Sequence, residues 1–269
     1  MDVLWAAAAG VVTFALAFAG RELLRARALQ RVNYAGREIP TGGGIFAVLG
    51  FFAVVAAATS FSGFRFGNSQ HLVLVVGAFA LLGLFDDIVG TASARGLRGH
   101  VAAARRGQLT SGLVKLIFGL LAAWITVFPA HFSLRLAATI VIAGSANVAN
   151  LLDLAPARAM KGALLAFIGI ALLASDALSG GTYWFVIATL GLAPFELRER
   201  LMLGDTGANP LGAVIGFLLV ISLEASTRAV WGAAAVVVAI NLAGEFVSFS
   251  RVIELSPPLR ALDRLGRRR

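Results

Sequence analysis

The chain has 269 residues, 59% of them hydrophobic and only 14% charged, with 30 glycines and a formal net charge of +9. Soluble domains carry roughly 25% charged residues, so this composition excludes a soluble globular protein; the mean hydropathy of +0.86 agrees. With no cysteine in the chain, disulfides and thiolate metal sites are excluded too.

Apolar runs long enough to cross a bilayer as helices recur along the whole chain, so the expected fold is all-α: a polytopic membrane bundle of about nine spans. Val3–Gly20 is the first, and with no basic stretch before it, it reads as a retained span rather than a cleaved signal. A segment rich in arginine follows and closes on Pro40-Thr41-Gly42-Gly43-Gly44 before the second span, Ile45–Ser60. The third, His71–Leu84, ends at Asp86-Asp87, and a basic loop leads to the fourth, Leu109–Phe128. Phe132–Ala149 is the fifth and ends at Asn150 and Asp153; Met160–Ala174 and Thr182–Phe195 are the sixth and seventh. Glu196-Leu197-Arg198-Glu199-Arg200 reads as a solvated break ahead of Asn209–Leu223 and Ala229–Phe249. Residues 1–250 thus form the membrane domain, and 251–269 form a basic tail.

With nine spans, all but Arg65, Arg135 and Arg228 of the 23 Lys and Arg residues fall on one side. Cytoplasmic loops carry the excess of basic residues, so the N-terminus is expected outside and the C-terminus in the cytoplasm. The acidic stretches around Asp86, Asp153 and Asp205 all fall on that cytoplasmic side. Convergence on one face is what a single site needs.

Asp86-Asp87 is the most informative pair. Two like charges repel, they stand at a helix end that disfavours anions, and both lie beside hydrocarbon. A cation relieves all three penalties, so the pair reads as a metal or phosphate-chemistry site, with a solvated helix end as the bland alternative. Asn147, Asn150 and Asp153 recur every third residue and form a polar strip suited to a nucleotide or a hard cation. Interhelical hydrogen bonding is the competing role for Asn147. Gly204-Asp205-Thr206-Gly207 turns into a helix whose free N–H groups can hold an anion, and Asp205 beside it can hold Mg²⁺. Equally, Asp205 or Asn209 could cap that helix, with Pro210 in its first turn. The glycines at 42–44 permit close approach of a phosphate or of another helix. Arg95 and Arg98 suit phosphate, or simply fix topology.

Pro-Thr-Gly-Gly-Gly at 40–44, Gly-x-x-Asp-Asp at 83–87, Asn-x-x-Asn-Leu-x-Asp at 147–153 and Gly-Asp-Thr-Gly at 204–207 occur in an order that resembles the polyprenyl-phosphate N-acetylhexosamine-1-phosphate transferases. The resemblance covers about residues 1–250. It implies Mg²⁺-dependent transfer of a sugar phosphate from a UDP-sugar to a polyprenyl phosphate lipid, with release of UMP, in cell-envelope synthesis at the cell membrane. Under it Asp86 and Asp87 are catalytic, Asp205 and Asp86 hold Mg²⁺, and Thr41, Arg95, Arg98, Asn147, Asn150 and Asp153 bind substrate. The partners it implies are the lipid, the UDP-sugar, the membrane and a second copy of the chain, with no nucleic acid. The chain departs from the family pattern at Gly90, where a lysine is expected, and at Leu154 and Pro156 after the nucleotide-side Asp. The other reading is a relative that has lost catalysis and serves as a polyprenyl-lipid-binding or scaffold protein.

Overall fold

In the computed structural model, residues 2–63, 69–89, 111–127, 131–174 and 181–267 are described. Twelve α-helices and one small hairpin occur among them. The long helices are α1 (Asp2–Gly20), α2 (Gly44–Ser62), α3 (Ser69–Val89), α4 (Ser111–Thr126), α5 (Phe132–Leu152) and α6 (Arg158–Leu173). After the short α7 (Trp184–Leu190) and α8 (Ala193–Glu196) come α9 (Asp205–Leu223), α10 (Thr227–Phe246), α11 (Phe249–Leu255) and α12 (Pro257–Arg264).

Helices occupy all nine expected positions, and six are long and apolar enough to span a membrane: residues 2–25, 44–62, 70–89, 132–152, 205–223 and 227–246. The expected fourth and sixth spans are helices of 16 residues each. At 1.5 Å per residue the sixth, Arg158–Leu173, reaches about 24 Å, short of a ~30 Å hydrocarbon core. The expected seventh is broken in two at Gly191. A Cβ there would lie 2.3 Å from the Gly10 carbonyl oxygen, so Gly191 is where the chain presses against α1.

Helix α9 is the axis of the bundle, buried along most of its length against α5 on one side and α3 on the other. Glycine makes this possible: Cβ atoms at Gly212 and Gly216 would come within 2.3 and 2.9 Å of α5 backbone atoms. Burial of Leu211, Val214, Phe217 and Leu218 along α9 fills the space between those approaches. By contrast α1 and α10 expose apolar faces, among them Val3, Leu4, Val236 and Phe246, as helices in contact with lipid do.

The arginine-rich segment after α1 forms two 3₁₀ turns and an antiparallel hairpin, β1 (Gln30–Val32) with β2 (Glu38–Pro40), in which Arg31 pairs with Ile39. Pro40 then feeds the glycine turn into α2. Helix α9 begins at Asp205, four residues earlier than expected, so Pro210 falls inside the helix. Nor is the break after α8 wholly solvated. Glu196 is 3% exposed and accepts hydrogen bonds from the N–H groups of Ala157 (3.0 Å) and Leu203 (2.9 Å). It thereby ties the turn before α6, where Ala157 holds a left-handed φ of 56°, to the segment before α9.

The basic tail is folded. Arg158 at the start of α6 forms a two-pronged pair with Asp263 of α12, at 2.8 and 3.1 Å, and donates to Ser250 of α11 at 2.7 Å. Lys161 donates to the carbonyls of Asp263 and Leu265, each at 2.7 Å. Two residues that sequence patterning treats as topology markers therefore hold the C-terminal helices against the bundle.

Candidate active site

Four chain segments meet at one end of the bundle: the last turn of α3, the first turns of α4 and α9, and the last turn of α5. Their closeness starts with backbone contact. A Cβ at Gly83 would lie 2.0 Å from the Asp205 carbonyl oxygen, and one at Gly44 would lie 2.2 Å from Gly207 Cα. The glycines of all three motifs thus admit other backbone, which is why α2, α3 and α9 can converge.

Asp87 is 7% exposed and spends both carboxylate oxygens on the start of α9. Its Oδ1 accepts from the Asp205 N–H at 3.1 Å. Its Oδ2 accepts from the Thr206 N–H at 2.9 Å and the Thr206 hydroxyl at 2.6 Å. The anion at the α9 N-terminus is therefore a carboxylate of the chain itself. It satisfies N–H groups that no residue of α9 caps, and the positive end of the helix dipole offsets its charge. Thr41 lies behind it, buried, with its hydroxyl donating to Asp87 Oδ1 at 3.4 Å. Arg31 donates to the Asp87 carbonyl at 2.7 Å, placing a cation at the negative end of α3.

Asp86 turns the other way, toward Lys115 and Asp205. The Lys115 ammonium lies 3.4 Å from Asp86 Oδ2 and in direct contact with Asp205 Oδ2. Asn150 donates to the same Asp205 oxygen at 3.4 Å. Asp153 ends α5, half-buried, with the Gly204 N–H near its carboxylate. Burial, then the nearby carboxylates of Glu196, Asp205 and Asp87, raise its pKa well above the usual range, and the Gly204 N–H works against them. Asp86, Asp87 and Asp205, with Asp153 beside them, thus form one carboxylate-rich centre with Lys115 as its embedded cation.

Of the remaining sequence candidates, Asn147 separates from this centre. Asn147 sits one turn back along α5 and donates to Asn241 Oδ1 of α10 at 2.6 Å, the interhelical contact weighed as its other role. Arg95 and Arg98 lie outside the described residues. Sequence reasoning missed Lys115, Arg31 and Glu196. For Lys115 a signal existed: a lysine one turn inside an apolar helix, in Leu113-Val114-Lys115-Leu116-Ile117, marks a functional site by default.

The profile of Glycosyl transferase family 4 matches residues 69–224, from the start of α3 to just past the end of α9. The chain belongs to glycosyl transferase family 4. That match takes in Asp86, Asp87, Lys115, Asn150, Asp153 and Asp205, so the whole charged centre lies inside the family's segment. As a member of glycosyl transferase family 4, the protein is a transferase of the kind that passes a sugar phosphate to a polyprenyl phosphate. A comparison with curated proteins finds no match.

The family resemblance implies Mg²⁺, and the donors can be tested for fit. Among the described residues, no three His, Asp or Glu side chains stand together as a metal-binding group. Mg²⁺ asks for less than that, usually one or two carboxylates plus water and substrate phosphates. Asp86 and Asp205 both face the Lys115 ammonium, so the pair already encloses a positive charge. The donor set fits.

Proposed function

We propose that this protein transfers a sugar phosphate from a UDP-sugar to a polyprenyl phosphate at the cytoplasmic face of the cell membrane, releasing UMP, in cell-envelope polysaccharide synthesis. The observation that supports this most is the meeting of Asp86, Lys115, Asn150 and Asp205. An oxygen of the lipid phosphate bonds to the sugar-bearing phosphorus of the UDP-sugar. The bond from that phosphorus to the bridging oxygen breaks, and UMP departs with the bridging oxygen. Both reactants are anions, so the barrier is largely repulsion, and such transfers need positioning and charge neutralisation above all.

Each residue has a part in that. Lys115 lays positive charge where the two phosphate groups meet. Asp86 and Asp205 would hold Mg²⁺, which supplies further positive charge to the diphosphate oxygens. Asn150 and Asp153 face the nucleotide from the end of α5. Asp87 is a positioning residue: by gripping the Asp205 and Thr206 N–H groups it fixes where the Asp205 carboxylate stands.

The test is UMP release from a panel of UDP-sugars with undecaprenyl phosphate, with and without Mg²⁺. Asp205→Asn should lose at least ~10²-fold in rate, the usual effect of removing a main charge-stabilising group. Full complementation of a deletion strain by both Asp205→Asn and Asp86→Asn would overturn the reading in favour of a lipid-binding scaffold.

A further inference from the structure

Away from the charged centre, a cleft of about 640 Å³ is lined by Arg21, Glu22, Arg25, Gln30, Glu38, Pro40 and Arg200. Its walls come from three places in the fold: the 3₁₀ turn after α1, the hairpin and the segment before α9. The first candidate membrane span runs from Asp2 to Arg25, so Arg21 and Arg25 stand where that span leaves hydrocarbon for water. Lipid phosphates lie at this level.

Three arginines and two glutamates line the cleft, so it keeps a net positive charge for an anion. Glu22 braces Arg25 at 2.8 Å and lies 3.7 Å from Arg21. Arg21 is further fixed by a 2.7 Å hydrogen bond to the Phe18 carbonyl and by stacking 5.0 Å above the Phe18 ring. No described residue engages the Arg200 guanidinium. Beside the cleft the surface turns apolar: Phe18 is 60% exposed and Leu23 is 79% exposed. A free phosphate would use only the arginines, whereas a ligand with a phosphate head and hydrocarbon tail would use both features.

We infer that this cleft binds the phosphate-bearing headgroup of an anionic membrane phospholipid, as a site separate from the reaction centre. Binding there joins the end of α1 to the two segments that build that centre. Pro40 precedes Thr41, which touches Asp87, and its carbonyl accepts from the Met202 N–H at 2.7 Å. Arg200 lies five residues before Asp205 on the same segment. A headgroup bridging Arg21 or Arg25 to Arg200 braces the turn from which the reaction centre is assembled.

The inference needs no transferase activity for its test. The delipidated full-length protein is titrated, by native mass spectrometry, with short-chain phosphatidylglycerol, with inorganic phosphate and with a short polyprenyl phosphate in separate arms. Arg25→Gln and Arg200→Gln should each weaken phosphatidylglycerol binding about fivefold, the worth of one interfacial arginine. Arg260→Gln, in α12 and outside the cleft lining, should leave it unchanged, and thermal unfolding should show all three variants folded. Millimolar inorganic phosphate should not displace the lipid. Equal binding by all variants, displacement by inorganic phosphate, or preferential loss of polyprenyl phosphate binding in Arg25→Gln and Arg200→Gln would each overturn the assignment.

Discussion

The carboxylate of Asp87 holds Thr206 twice, 2.9 Å from its backbone N–H and 2.6 Å from its hydroxyl, although 119 positions separate the two residues. With a third bond to the Asp205 N–H, the end of α3 serves as the cap of α9. Asp86, its immediate neighbour, makes no such bond and instead faces Lys115. Adjacent carboxylates have thus divided the work, one building the site and the other lining it.

That division predicts opposite phenotypes. Asp87→Asn would set an amide N–H₂ against backbone N–H donors, leaving a buried cap unsatisfied. The expected loss is about 2–4 kcal/mol, in the range for breaking hydrogen bonds to a buried charge. Asp86→Asn should leave unfolding unchanged and remove activity. Thermal unfolding in detergent beside the UMP-release rate separates the two, and equal destabilisation by both variants would refute the division.

Gly83 carries a prediction about packing alone. An alanine Cβ there would stand 2.0 Å from the Asp205 carbonyl oxygen, and backbone cannot rotate out of the way. Gly83→Ala should cost 3 kcal/mol or more, at or above the upper end of ordinary overpacking (about 1–3 kcal/mol), and fail to accumulate in membranes. Gly77, on the same helix, meets nothing nearer than Phe52 at 3.6 Å. Gly77→Ala should be neutral or stabilising, given the better helix propensity of alanine.

Helix placement was legible because apolar runs record burial in lipid and in the bundle alike. The order of the carboxylates was legible because Asp86, Asp153 and Asp205 all terminate or begin such runs at one end. What each charge touches was not. The glycines at 42–44 and 204–207 fit a phosphate or a helix equally well from sequence, and only the approach of Gly44 to Gly207 decides for backbone. Lys115 lies inside an apolar run, and nothing in that run tells which carboxylates its ammonium meets. Glu196 hid in a charged cluster, because nothing local in Glu-Leu-Arg-Glu-Arg tells the buried glutamate from the exposed Arg198 and Arg200. Its partners at Ala157 and Leu203 come from other segments.

The docking of the tail should depend on pH. Burial works to raise the pKa of Asp263, but its hydrogen bond with Arg158 and the charges of Arg158, Arg267 and Lys161 outweigh that and hold it below the usual range. A depressed folded pKa contributes stability that is present above the unfolded value, about 3.9, and is lost as pH falls through the folded value. The tail should therefore stay docked from neutral pH down to about pH 4 and loosen below it. Hydrogen exchange over Phe249–Arg264 should show this, and Asp263→Asn should show it already at neutral pH, with faster tryptic cleavage at Arg264 and Arg267. Unchanged protection in Asp263→Asn would mean that Lys161 and apolar packing suffice.

Lys115 offers the sharpest test of the reaction centre, because its ammonium stands between the two carboxylates assigned to Mg²⁺. If Lys115 only fills the metal site in its absence, Lys115→Gln should bind Mg²⁺ more tightly and turn over at the same rate. If it also neutralises phosphate charge during transfer, the same variant should bind Mg²⁺ more tightly yet lose at least ~10²-fold in kcat, the scale for one electrostatic group aimed at developing charge. The second outcome is expected, since a dication held by two carboxylates leaves the phosphate oxygens only partly neutralised. Stability gives an independent reading. Without the lysine, Asp86 and Asp205 repel at close range, so Lys115→Gln should unfold at lower temperature in EDTA and recover in millimolar Mg²⁺. Failure of Mg²⁺ to restore that stability would remove Asp86 and Asp205 as its ligands, whatever the rate of the variant.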